Sequence, residues 1–83
     1  MKTLKDILFG VSLTAVNGST AVAVNSVCFD SRAVGKDDVF VAIRGTLTDG
    51  HEYIEKAIEL GANAIICEEL PKTMDGNVTF VEV

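Results

Sequence analysis

The stretch that decides the fold is the apolar run Val39-Phe40-Val41-Ala42-Ile43, which charged residues precede and Arg44-Gly45 follows. Such a run, rich in β-branched side chains, is typical of a strand that is buried on both faces of a sheet. Residues 52–61 then place apolar side chains at helical spacing and end in Gly61, a common helix stop. Because a second apolar run follows at residues 64–67, we predict a strand–helix–strand unit with a right-handed crossover.

The residues before this unit predict a short helix and two strands. Thr3 can cap the helix, residues 3–9, because Asp6 stands at its third position and completes a capping box. The two strands, residues 11–16 and 21–24, lie on either side of an Asn-Gly turn. The second strand either ends there or continues toward the central unit.

The remaining segments predict one connection and one further strand. Residues 34–38 are expected to form a surface connection in which Gly35 supplies the turn. Residues 77–83 alternate between polar and apolar and predict a last strand. They carry no cap and no polar tail, which predicts that the chain was cut at a domain boundary. Together the elements predict a single α/β domain, residues 1–83, with a small mixed sheet of about five strands and two flanking helices.

The composition restricts the possible classes of function. A chain of 83 residues has room for one modest core, which buries about 60% of the surface that the unfolded chain exposes. The formal net charge of −5 and the scattered basic residues argue against nucleic-acid binding, which needs clustered Lys and Arg. We predict no membrane span, because no apolar run approaches ~20 residues, and a cytoplasmic location.

The two cysteines lie inside apolar runs. Cys28 and Cys67 are therefore most simply small apolar side chains of the core, and a disulfide or a metal pair is the alternative.

The candidate functional residues lie where the predicted strands end. Ligands of open parallel sheets bind beyond the carboxyl ends of the strands, which here are Asp30-Ser31-Arg32 and residues 45–50. Ser31 can donate and accept hydrogen bonds there, but Asp30 and Ser31 can equally serve only to satisfy backbone groups of a turn. The loop at residues 45–50 has the same two interpretations, because its hydroxyls and glycines suit either a ligand or a plain turn.

The sequence contains no recognisable catalytic or metal-binding motif. It has no phosphate-binding loop, no G-x-G-x-x-G and no Cys or His cluster. The single histidine, His51, lies at a predicted helix start, where capping or solvent exposure is common. The carboxylates of Glu52, Glu55 and Glu59 are typical of a solvated helix face. We predict no catalytic residue and no metal site in this chain.

The order and spacing of these segments resemble the N-terminal domain of the Mur ligases, the cytoplasmic enzymes of peptidoglycan precursor synthesis. The resemblance is carried by Asp30-Ser31-Arg32, residues 38–45, Asp49-Gly50-His51 and the helix that ends at Gly61-Ala62. It looks most similar to the type of ligase that adds the third residue of the stem peptide. The alternatives are the sister ligase that adds the terminal dipeptide, and a free-standing binding module with the same fold.

The resemblance implies a substrate-binding domain that is inactive by itself. It implies that the chain holds the UDP part of UDP-N-acetylmuramoyl-dipeptide and needs no cofactor, whereas ATP and Mg²⁺ serve the full-length enzyme in its remaining domains. Arg32 would either meet a phosphate or pair with an acidic neighbour. The implied UDP-binding residues are Phe29, Ser31, Thr46, Leu47 and Thr48, with Arg32 and Gly45 as secondary candidates.

Overall fold

The computed structural model describes residues 2–42, 53–71 and 76–83. In chain order these residues form β1 (Lys2–Thr3), α1 (Leu4–Ile7), β2 (Ala15–Asn17), β3 (Ala23–Val24), β4 (Val27–Cys28), a 3₁₀ helix (Ser31–Ala33), β5 (Val39–Ala42), α2 (Ile54–Glu59), β6 (Ala64–Cys67) and β7 (Thr79–Glu82).

Five of the strands form one mixed sheet in the order β2-β7-β6-β5-β4, and β1 pairs with β3 in a separate two-stranded sheet. Neighbouring strands from β4 to β7 run parallel, and β2 is added antiparallel to β7 at the edge. The predicted α/β fold with a mixed sheet and two helices is confirmed. Within the described part of the chain, no helix has the length and the apolar character that a membrane crossing requires.

The sheet has a packed core on each face. Successive side chains of its strands point to opposite sides and so enter different cores. On one face, Phe40, Ile65 and Phe80 belong to the core that α2 covers. On the other face, Val39 and Val81 belong to the core beneath α1. A fully buried side chain of this size contributes about 1.5–3 kcal/mol. The prediction that the run at residues 39–43 supplies a strand buried on both faces is confirmed for the described residues 39–42.

The predicted capping box at the first helix is also confirmed. The backbone N–H of Asp6 donates to Thr3 Oγ1 over 3.3 Å, and the backbone N–H of Thr3 donates to Asp6 Oδ2 over 3.2 Å. The helix is shorter than the predicted range 3–9, since it ends at Ile7. Phe9 is 91% exposed, so a further turn would gain no apolar contact from it.

The two strands around the Asn17-Gly18 turn exist, but they do not pair with each other. β2 pairs with β7, whereas β3 pairs with β1 and ends at Val24. The turn instead packs on β7, where the buried Thr79 donates from Oγ1 to the carbonyl of Ser19 over 2.6 Å. A Cβ added at Gly18, whose φ is +114°, would lie 3.0 Å from Thr79 Oγ1. The Asn17-Gly18 turn is therefore held against β7 and does not join two paired strands of a hairpin.

The predicted surface connection at residues 34–38 reaches the surface only in its middle, where Lys36 is exposed. Val34 and Asp38 are buried, with 6% and 4% of their surface exposed. Gly35 begins the turn, where its carbonyl accepts from the backbone N–H of Asp38 over 3.3 Å, but the positive φ of +65° is at Asp37. The connection lies inward because the Asp38 carboxylate accepts hydrogen bonds from it, as described below.

The cysteines are free thiols. Cys67 is fully buried, as predicted, and its burial raises its pKa to about 11. Cys28 is half-buried.

Gly61 ends α2 as predicted, and it does so at a point of close packing. Its φ is +113°, and an added Cβ would lie 2.8 Å from Cα of Lys36. The carbonyl of Gly61 accepts from the backbone N–H of Asp37 over 2.9 Å. The end of α2 is therefore held directly against the connection between β4 and β5.

We expect Gly61→Ala to lower the free energy of unfolding by about 2–4 kcal/mol, because the new Cβ combines backbone strain with a clash against backbone atoms. Gly10→Ala is the control, since Gly10 has a φ of +81° but no atom within 4 Å of the added Cβ. It should cost only about 1–2 kcal/mol. Urea unfolding followed by circular dichroism measures both, and equal losses would contradict the close packing at Gly61.

Candidate functional site

An open cleft of about 580 Å³ lies against the corner that follows β4. It is bounded by this corner, by β5 and by the start of α2, at the edge of the sheet where ligands of parallel sheets bind. The described residues that line it are Phe29, Asp30, Ser31, Arg32, Phe40, Tyr53 and Lys56. The structure thus brings together the predicted site residues of the first corner.

Ser31 is held in place by the local fold of this corner. It begins the 3₁₀ helix, for which Asp30 is the N-cap: Asp30 Oδ1 accepts from the backbone N–H of Arg32 over 2.9 Å. Ser31 is only 7% exposed, and its hydroxyl has no hydrogen-bond partner within the described residues. Asp30 satisfies the turn backbone with its own side chain, so Ser31 Oγ is not needed for that purpose.

Arg32 is paired with Asp30 rather than held apart from it. Its Nη2 lies 2.9 Å from Asp30 Oδ2 and its Nε donates to Asp30 Oδ1 over 3.1 Å, which makes a bidentate pair. The hydrogen bonds from the Arg32 side chain lower the pKa of Asp30, and the same pair raises the pKa of Arg32. Of the two alternatives for Arg32, the structure shows the pairing with an acidic neighbour.

Two aromatic rings give the cleft an apolar surface. Phe29 is 71% exposed and Tyr53 is 41% exposed. Exposed rings within one cleft offer faces on which a planar group can stack. The buried Phe40 supports the cleft from the sheet.

The other predicted site residues lie outside the described residues. These residues are Gly45, Thr46, Leu47 and Thr48, together with His51. Their roles stay predictions. The structure does describe Glu55 and Glu59, which are exposed as predicted.

Sequence analysis missed Tyr53 and Lys56 as residues of the cleft. The helical pattern assigned Tyr53 to the apolar side of the helix and Lys56 to the solvent side. They are three residues apart, however, and such residues are neighbours on a helix surface. That spacing, at the start of the helix that follows a parallel strand, is the signal that could have identified them.

Sequence analysis also missed Asp38, which lies beneath the corner. Its buried carboxylate accepts from Ser26 Oγ over 2.8 Å and from the backbone N–H of Gly35 over 2.8 Å. Cys28 Sγ donates to the same carboxylate over 3.5 Å. The hydrogen bond from the Gly35 N–H is the largest cause of the lowered pKa of Asp38, because it favours the charged form. Asp38 therefore ties Ser26, just before β4, to Gly35, just after the corner.

Comparison with known proteins identifies relatives along most of the chain. A family model described as "Mur ligase family, catalytic domain" matches residues 23–81. The UDP-N-acetylmuramoyl-L-alanyl-D-glutamate–2,6-diaminopimelate ligase of Cytophaga hutchinsonii is 49% identical over 69 residues, which cover 83% of this chain and 14% of that protein. The ligase of the same name from Phocaeicola vulgatus is 41% identical over 80 residues, covering 96% of this chain and 16% of that protein. The chain thus spans a small part of the length of these relatives.

Solved structures with a similar fold also carry ligase names. The MurF ligase of Thermotoga maritima, solved in complex with ADP, matches with a TM-score of 0.62 and 36% identity, over 71% of this chain and 13% of that one. A MurF of Acinetobacter baumannii matches with a TM-score of 0.63 over 72% of this chain and 13% of that one, and its 22% identity supports the fold alone.

We expect Asp38→Asn to lower the free energy of unfolding at pH 7 by about 2–4 kcal/mol, because it weakens hydrogen bonds to a buried charged acceptor. Asp37→Asn is the matched control: Asp37 stands at a positive φ, which asparagine tolerates well. It should change stability by less than about 0.5 kcal/mol. Urea unfolding of both variants checks the difference.

The same pair of variants tests the effect of pH. Because the pKa of Asp38 is lower in the folded chain, its stabilisation is complete above the unfolded value of about 3.9. It is lost as the pH falls through the folded pKa. Between pH 5 and pH 2.5 the wild type and Asp37→Asn should therefore lose more stability than Asp38→Asn. Identical pH profiles would show that Asp38 is not the stabilising carboxylate.

Proposed function

Because the chain belongs to the Mur ligase family, we propose that it binds the UDP part of a UDP-N-acetylmuramoyl-peptide substrate for a ligase of peptidoglycan precursor synthesis. In this proposal residues 1–83 form the N-terminal, substrate-binding domain of the ligase. The chain itself performs no chemistry. It holds the nucleotide end of the substrate while the rest of the ligase acts on the peptide end.

The observation that supports this proposal is the joint position of Phe29 and Ser31 in one cleft. Uracil is a planar ring with hydrogen-bond donors and acceptors along its edge. Phe29 offers an exposed face for stacking, and Ser31 offers a hydroxyl that can donate or accept. Backbone groups of residues 45–50, with the side chains of Thr46, Leu47 and Thr48, would complete the recognition of the base.

The proposed substrate is UDP-N-acetylmuramoyl-L-alanyl-D-glutamate, to which the full-length ligase would add the third amino acid of the stem peptide. The names of the relatives with 49% and 41% identity support this type. The sister ligase that adds the terminal dipeptide has weaker support, because the MurF of Thermotoga maritima is 36% identical.

In the full-length ligase, ATP and Mg²⁺ would be bound by the remaining domains. The residues of this chain do not fit them: the sequence has no phosphate-binding loop, and the described ranges contain no group of three metal-ligating side chains. A cytoplasmic location is part of the proposal, since UDP-linked precursors and ATP would have to be available together.

Titration of the ¹⁵N-labelled chain with UDP tests the proposal directly. We expect saturable amide shifts at millimolar UDP, confined to residues 29–32, 45–50 and the start of α2. CDP, which carries the same diphosphate on a different base, should bind about three- to tenfold more weakly, because a site built for one pattern of donors and acceptors leaves groups unpaired with another. No saturable shift up to about 10 mM UDP, or shifts elsewhere in the chain, would contradict the proposal.

Ser31→Ala should weaken UDP binding about three- to tenfold, the usual effect of losing one hydrogen bond. Thr14→Ala is the control, because it removes a hydroxyl from an exposed residue just before β2, at the opposite edge of the sheet. It should leave the Kd for UDP unchanged.

A further inference from the structure

The charges of the described residues that line the cleft are not balanced. Among its described residues, the charged ones are Asp30, Arg32 and Lys56. Asp30 and Arg32 neutralise each other through their bidentate pair, with contacts of 2.9 and 3.1 Å. Lys56 has no ion pair and no hydrogen bond within the described part of the chain. Among these lining residues its ammonium group is therefore the uncompensated charge, in a chain with a formal net charge of −5.

The packing of α2 fixes where this ammonium group can reach. Ile54 and Ala57 are buried in the core, with 4% and 0% of their surface exposed. Tyr53 and Lys56 each immediately precede one of these residues, so they share the next face of the helix, and both line the cleft. α2 also packs against the 3₁₀ helix that begins at Ser31. Lys56 thus extends from a fixed helix into the same space as Ser31 and Phe29.

We propose that Lys56 binds the diphosphate of the nucleotide, and that Arg32 does not. This inference rests on the proposed function, since it assigns a contact within the same site. A lysine ammonium is a compact charge on a flexible stem and can meet phosphate oxygens from several directions. Arg32 uses Nε and Nη2 for Asp30, so a phosphate bound by its remaining donors would lie close to the Asp30 carboxylate, which repels it.

A contact of Lys56 with the diphosphate can be distinguished from a contact with the nucleoside by changing the ligand. If Lys56 binds the diphosphate, its removal weakens the binding of each ligand in proportion to the phosphate charge of that ligand. The contribution of the nucleoside to binding stays unchanged. Since Lys56 is exposed, its contact with the diphosphate is also screened by salt, with a Debye length of about 10 Å at 0.1 M. Binding of UDP should therefore weaken with added salt, whereas binding of uridine should not.

Isothermal titration of uridine, UMP and UDP into the wild type and into Lys56→Gln tests the proposal. We expect the Kd for UDP to rise about five- to tenfold in Lys56→Gln, with a smaller rise for UMP and none for uridine. Lys56→Arg, which keeps the charge, should recover most of the UDP affinity. Lys5→Gln is the matched control, because it removes an equal charge from an exposed residue of α1, on the opposite face of the sheet.

The double variant Asp30→Asn/Arg32→Gln tests the competing assignment without a change in net charge. A greater loss of UDP affinity in this variant than in Lys56→Gln would assign the diphosphate to Arg32 and overturn the inference. Equal UDP affinity in Lys56→Gln and Lys5→Gln would overturn it as well. In both cases the wild type still binds UDP, so the proposed function stands. A wild type that binds neither uridine nor UDP overturns the proposed function itself.

Discussion

The geometry of the candidate site depends on one buried carboxylate, that of Asp38. β4 and β5 are parallel neighbours, so the chain must cross over between them, and only residues 29–38 are available for this. Such a short crossover leaves backbone groups that no strand or long helix can satisfy. Asp38 accepts hydrogen bonds from Ser26, which lies just before β4, and from Gly35 in the crossover. These bonds offset the cost of burying a charge and fix the corner that carries Ser31.

Most of the sheet could be predicted because its signals are local. The apolar runs at residues 39–43 and 64–67 identify β5 and β6 wherever they lie, and Gly61 identifies the end of the helix between them. The partners of β2 and β3 could not be predicted in this way. An alternating strand fits either side of a hairpin or the edge of another sheet, and the choice was decided by contacts such as that of Thr79 with Ser19, 60 residues away.

The candidate site was predictable in part, for a related reason. The corner at Asp30-Ser31-Arg32 could be identified because it follows a strand, and the resemblance to a family added Phe29. Lys56 was missed, because helical periodicity separates core from solvent; only its spacing from Tyr53 at the start of the helix indicates a shared cleft. Asp38 was misassigned because a charged residue next to a turn is nearly always exposed. Only its partners in space explain its burial.

The position of β7 has a consequence for how the chain is made. β7 follows every other described strand in sequence, yet it lies between β2 and β6 in the sheet. While a ribosome is still adding residues 79–82, both of these strands have an open edge, and Phe80 and Val81 are missing from the two cores. The nascent chain can close neither core before its final strand emerges, so until then its unpaired edges are exposed to other chains.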